Sequence, residues 1–71
     1  MKIEYFPDTD SLYIDLSGKQ GAGAVELTEG VVMDVDEQGH PVGLDIDQAS
    51  KHLDLERLDF SHLPFRVHQV A

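Results

Sequence analysis

Residues 30–53, GVVMDVDEQGHPVGLDIDQASKHL, decide the fold of this chain. Val31, Met33 and Val35 recur at every second position, and so do Val42, Leu44 and Ile46, so each half of the stretch has one apolar side and one polar side of an extended strand. A two-residue turn at Gln38-Gly39 joins the halves into a hairpin and sets Glu37 opposite His40, Asp36 opposite Pro41, Val35 opposite Val42 and Met33 opposite Leu44. In that register Asp36 and Pro41 form a pair without mutual hydrogen bonds, so the missing proline amide costs nothing within the hairpin, and the other side of Pro41 should be an edge. The polar side carries Asp34, Asp36, Asp45 and Asp47. Asp47 is placed to cap a helix that begins at Gln48 and packs Ala49 and Leu53 on one face. Asp54 offers a restart that turns Leu55 and Leu58 to a new face, extending the helical reading over 48–58, before Pro64.

Upstream, Ile3 and Tyr5 alternate with polar neighbours, Pro7-Asp8-Thr9-Asp10 interrupts, and Leu12, Ile14 and Leu16 resume the alternation. Residues 1–16 therefore read as a first hairpin, with Pro7 at the second position of a type I turn, Ile3 facing Ile14 and Tyr5 facing Leu12. Residues 17–23, SGKQGAG, are too rich in glycine for a regular element and are expected to form a mobile loop. Residues 24–47 hold a third strand, with Val25 and Leu27 inward, followed by the long hairpin. Residues 59–71 form a tail in which Phe65, Val67 and Gln69 alternate with Arg66, His68 and Val70, a pattern that predicts either a last short strand or docking on a neighbour. The predicted fold is a single α+β domain: an antiparallel sheet of two hairpins plus a linking strand, with one short helix against it.

A 71-residue chain buries only about 60% of its unfolded surface, and its expected stability is roughly 4 to 10 kcal/mol. Without cysteines there is no disulfide framework and no zinc-thiolate site to supplement the core. No apolar run approaches the roughly 20 residues needed to span a bilayer, and the first residues, MKIEYFPD, lack a signal core, so a soluble cytoplasmic protein is expected. The net charge of −9, from 14 acidic against 5 basic side chains, argues against nucleic acid; it is the charge of an ordinary soluble acidic surface, and the sharper reading of it is attraction to a basic protein partner or to cations.

Asp34-x-Asp36-x-Gln38-Gly39, with Asp45 at the twelfth position, looks like the opening of a calcium loop. Gln38 at the fifth position, Pro41 at the hydrophobic eighth and flanks that alternate like strands depart from an EF-hand. Asp34, Asp36 and Asp45 thus remain only as candidates for weak cation binding. A catalytic carboxyl pair needs desolvation and a pocket, which a hairpin face on so short a chain does not offer. His40, His52, His62 and His68 lack paired zinc-ligand spacing, Ser61-His62 adjacency is no catalytic geometry, and GKQGAG lacks the Lys-Ser/Thr ending of a phosphate loop. No cofactor and no catalytic residue is indicated. Phe6, Tyr13 and Val32 fall on the side of the sheet away from the core, where the tail (Phe60, Leu63, Phe65) or a second copy of the chain would cover them.

Tyr5, Pro7, Asp10, Leu12, Tyr13 and Ile14 in the first hairpin resemble, together with Asp34, Asp36, Gly39, Val42, Gly43, Ile46, Ala49 and Ser50, the small bacterial proteins grouped as domain of unknown function 2283. Phe6, His40 and Asp45 stand where that family usually has an acidic residue, asparagine and glutamate. The resemblance implies a small β-rich α+β domain and transfers no catalytic residue. Some of those relatives are encoded beside small toxin-like proteins, which hints at partner binding. The function expected from the sequence is non-enzymatic association with a basic protein through Asp34, Asp36, Glu37, Asp45 and Asp47, with Phe6 and Tyr13 adding apolar contact. The alternatives are a weak divalent-cation-binding or metal-dependent accessory role for the same aspartates, and a structural homo-oligomer.

Overall fold

In a computed structural model that describes residues 1–65, the chain is a five-stranded antiparallel sheet with one turn of helix. The strands are β1 (Lys2–Phe6), β2 (Ser11–Asp15), β3 (Gly23–Thr28), β4 (Val31–Val35) and β5 (Pro41–Ile46), and the helix is α1 (Ala49–His52). The order across the sheet is β1-β2-β5-β4-β3. The third strand is therefore not a bridge between the hairpins. It forms the far edge, and the junction between the two halves is made by β5 against β2.

The registers of the four ladders run in phase. Ile3, Ile14, Leu44, Met33 and Val25 stand opposite one another in one row that crosses all five strands. Glu4, Tyr13, Asp45, Val32 and Glu26 form the next row. Side chains alternate between faces along a strand, so the first row lies on an apolar face and the second on a polar one. All of the described residues on the apolar rows are uncharged, which is the outcome of the period-two pattern read in three separate segments.

The long hairpin reaches this register by two compensating irregularities. Its turn has three residues, Glu37, Gln38 and Gly39, because the Asp36 amide donates to the His40 carbonyl at 2.9 Å and the Gly39 amide to the Asp36 carbonyl at 3.0 Å. Gly39 has φ 85°, a left-handed value that glycine adopts without steric cost. Relative to the two-residue turn this moves the pairing by one position, and Val35 faces Pro41 instead of Val42. A bulge before Gly43 takes up the extra residue and restores Met33 opposite Leu44. Without the bulge the side chains of β5 beyond it, Leu44 to Ile46, would change face. Pro41 stands beyond the end of β2 at Asp15, so its missing amide breaks no bond to that strand.

The helix is much shorter than the span 48–58. Gln48 is left-handed at φ 48°, Leu53 is already extended, and Asp54 accepts from the Glu56 amide at 3.1 Å while its carbonyl accepts from Arg57 at 3.2 Å. Asp54 thus closes a turn of its own instead of restarting the helix, a competition with helical bonding that short polar side chains favour. The glycine-rich loop is also more engaged than its composition predicts. Asp15 accepts from the Ser17 and Gly18 amides, the Ala22 amide donates to Val35, and Gly21 lies against Asp34 and Val42. Buried apolar residues are few among those described: Val42, Ile46 and Ala49. No helix among the described residues is long and apolar enough to cross a membrane. The last strand expected around Phe65 and Val67 falls largely outside the described residues.

Candidate functional site

The polar face gathers one carboxylate from every strand: Glu4 on β1, Asp15 on β2, Asp45 on β5, Asp34 on β4 and Glu26 on β3. Lys2 shares the face and pairs with Glu4 at 3.5 Å. Like charges placed near one another across strands are destabilising by a few tenths of a kcal/mol per pair.

Tyr13 lies in the middle of these carboxylates. The distal end of its ring crosses the neighbouring strand at Gly43, where a Cβ would stand 2.8 Å from the ring Cζ and closer still to the hydroxyl. Glycine is needed there for space, since its φ is not in the left-handed region. The hydroxyl reaches Asp34 Oδ2 at 3.4 Å, a long hydrogen bond. Partial burial, then the charges of Asp34 and Asp15, the bond to Asp34 and the charge of Asp45, raise the phenol pKa above its ordinary value. Tyr13 therefore stays neutral and presents a half-buried ring surrounded by negative charge. Phe6, on the same face at the β1 edge, is 43% exposed. Phe60, Leu63 and Phe65 are themselves exposed.

The aspartates expected to act as one group separate into two kinds. Asp34 and Asp45 lie on the sheet face. Asp36 does not: its Oδ1 accepts from the Gln38 and His40 amides at 3.0 and 2.9 Å, and its Oδ2 is 3.6 Å from His40 Nδ1. The amide of His40 is the largest influence holding its carboxyl below the ordinary range, and partial burial opposes it. Asp36 holds the hairpin turn, and its side chain is only 14% exposed. Glu37 is exposed at the tip of the same turn. Asp47 lies past the end of β5, where its amide donates to Gly30 and its carboxylate accepts from Gln48 at 3.1 Å. Among the described residues no group of three His, Cys, Asp or Glu side chains is arranged to hold a metal ion.

The helix cap comes from elsewhere in the chain. Asp47 makes no capping bond to α1. Asp10, left-handed at φ 54° in the first turn, accepts the Ala49 amide on its carbonyl at 2.7 Å and the Ser50 amide on Oδ1 at 3.1 Å. The Ser50 hydroxyl donates to Oδ2 at 2.6 Å and the Tyr5 hydroxyl to Oδ1 at 2.8 Å. Bonds from Ser50, then Tyr5, hold the Asp10 carboxyl below its ordinary range, and the same bond raises Tyr5. The Asp10 cluster is an N-cap supplied in trans across 40 residues of sequence, and it ties the helix to the end of the sheet.

Glu4, Asp15 and Glu26 are not legible as part of the site from either hairpin alone, because only the adjacency of β2 and β5 brings the two halves onto one surface. The alternation within each strand does place these three on the polar side, and that was the available signal.

A family model described as "Protein of unknown function (DUF2283)" matches residues 2–50, which contain the whole sheet and the start of α1. No curated protein and no solved structure matches the chain.

Proposed function

We propose, because the chain belongs to the DUF2283 family and that family has no known activity to transfer, that its polar sheet face is a docking surface for a basic protein and that the domain works by association without catalysis. The observation that supports this reading is the convergence of Glu4, Asp15, Asp45, Asp34 and Glu26, one from each strand, around the neutral ring of Tyr13. Opposite charge on a partner speeds encounter, and a half-exposed aromatic supplies the apolar contact that charge alone lacks. Phe6 extends the contact at one edge. Glu37 and Asp47 lie at opposite ends of β5 and add to the field without sharing the face, while Asp36 serves by holding the turn.

The test is a pull-down of the tagged protein from its native extract at low and high salt, with the Asp34→Lys/Asp45→Lys variant run in parallel. A small basic protein retained at low salt, loosened by high salt and lost in the double variant is the expected result. Retention of the same proteins by wild type and variant alike overturns the assignment of this face.

A further inference from the structure

Strand β3 is the outer strand beside β4, so alternate residues along it turn their amides and carbonyls away from the sheet, with no strand beyond them. All six of its residues are exposed, and no turn or loop backbone group among the described residues bonds to them. Edges are ordinarily blunted by lysine, proline or a bulge. The other edge strand, β1, carries Lys2 and runs into Pro7. Strand β3 has neither residue, and its bulge lies between Glu26 and Thr28. Residues 23–26 are thus left as a regular edge that another strand can pair with.

A strand added there meets two different surfaces. On the polar face it lies beside Ala24 and Glu26, which end the rows that contain Asp34 and Asp45. Adjacent strands are about 4.8 Å apart, so a lysine or arginine on the added strand reaches Glu26 directly and extends over the short side chain of Ala24 toward Asp34. On the other face its neighbour is Val25, 45% exposed at the end of the apolar row. Side-chain alternation then dictates the incoming sequence: basic residues at every second position and apolar residues between them.

We infer that the β3 edge receives an extended segment of this kind from the basic partner, as a sixth strand of the sheet. Main-chain bonds supply affinity that is indifferent to sequence, and the two rows supply the selection. Charge separates this occupant from a second copy of β3, which would bring Glu26 and no cation to a face that already holds Asp34 and Asp45. The inference rests on the acidic face as the docking surface of a basic protein and adds the mode of docking.

The test titrates the full chain, isotope-labelled at its amides, at low salt with two capped peptides of one composition, Lys-Val-Lys-Val-Lys-Val-Lys and Lys-Lys-Lys-Lys-Val-Val-Val. The alternating peptide should bind about tenfold more tightly than its block isomer, because only it sets cations and apolar groups on opposite faces of a strand. Its binding should slow hydrogen exchange at alternate amides within 23–26, which exchange freely in the protein alone, and give backbone Overhauser contacts between peptide and β3. Glu26→Lys, at an exposed position on the edge, should remove most of the advantage of the alternating peptide. Equal binding of both peptides, lost for both in Asp34→Lys/Asp45→Lys and without protection at β3, overturns the edge inference while leaving the acidic face as a docking surface. Binding of neither peptide overturns both. Slow exchange at alternate amides of 23–26 before any peptide is added also overturns the inference, because the edge is then already paired.

Discussion

Gly43→Ala sets two opposing effects against each other whose sizes follow from the structure. Replacing a strand glycine whose φ is ordinary removes conformational freedom from the unfolded chain and by itself stabilises by about 0.5 kcal/mol. The new Cβ, however, meets the Tyr13 ring 2.8 Å from Cζ and 3.3 Å from Cε1, well inside the ~3.5–4.0 Å at which carbon atoms attract. Tyr13 has to leave its place over Gly43 or the strands must part, and overpacking of this kind costs about 1–3 kcal/mol. The expected net effect is a loss of about 1–2 kcal/mol. In a Tyr13→Ala background the obstruction is gone, and Gly43→Ala should stabilise by about 0.5 kcal/mol. The sign of one substitution therefore reverses with the presence of one ring. Urea unfolding followed by far-ultraviolet dichroism, at one fixed protein concentration, measures all four chains of the cycle. Equal destabilisation by Gly43→Ala in both backgrounds would refute the reasoning and assign the glycine to a backbone requirement.

Val42, 2% exposed, should lose about 2 kcal/mol as alanine, from two methyl groups and the cavity they leave, measured by the same unfolding. Gly39→Ala should cost about 1 kcal/mol because φ 85° is left-handed while the space around it is open, and Gly39→Asn should cost less. Asp10 and Asp36 are depressed in the folded chain, so their contribution is complete above the ordinary carboxylate value near 4 and is lost as pH falls through the folded values. Tyr5 and Tyr13 are raised, so theirs is complete below about 10 and is lost as pH climbs further. A melting profile against pH should fall at both ends, Asp10→Asn should flatten the acid limb, and an unchanged acid limb in Asp10→Asn and Asp36→Asn would contradict the assignment. Calorimetric titration with calcium, magnesium and manganese should show no heat at millimolar metal, and a saturable signal removed by Asp34→Asn would revive the cation reading.

The strands and their facing sides were legible in the sequence. Alternation in 2–6, 11–16, 24–28, 31–35 and 42–46 depends on each residue's immediate neighbours, and the first turn places Ile3 opposite Ile14 and Tyr5 opposite Leu12 through local geometry alone. The limits of local reading appear where a residue bonds far from itself. Asp47 has the right identity and position for a helix cap, but Asp10 already occupies the amides of Ala49 and Ser50, and nothing within the 48–58 segment reveals that. The turn at 37–39 and the bulge before Gly43 each look arbitrary alone; together they keep Met33 on Leu44, a constraint imposed by burial of the row and not by the turn residues.

What the sequence determined by itself is the period-two code: which side chains share a face of each strand, and that one face is apolar and the other acidic. The order β1-β2-β5-β4-β3 is not written in any one segment, nor are its results: the gathering of five carboxylates around Tyr13, the use of Gly43 as the floor beneath that ring, and the capping of α1 from the first hairpin. The physical reason is range. Side-chain alternation is a property of covalent geometry repeated along a strand, whereas strand order is chosen by which assembly of faces removes the most apolar surface from water, a quantity that belongs to the whole chain and to no segment of it.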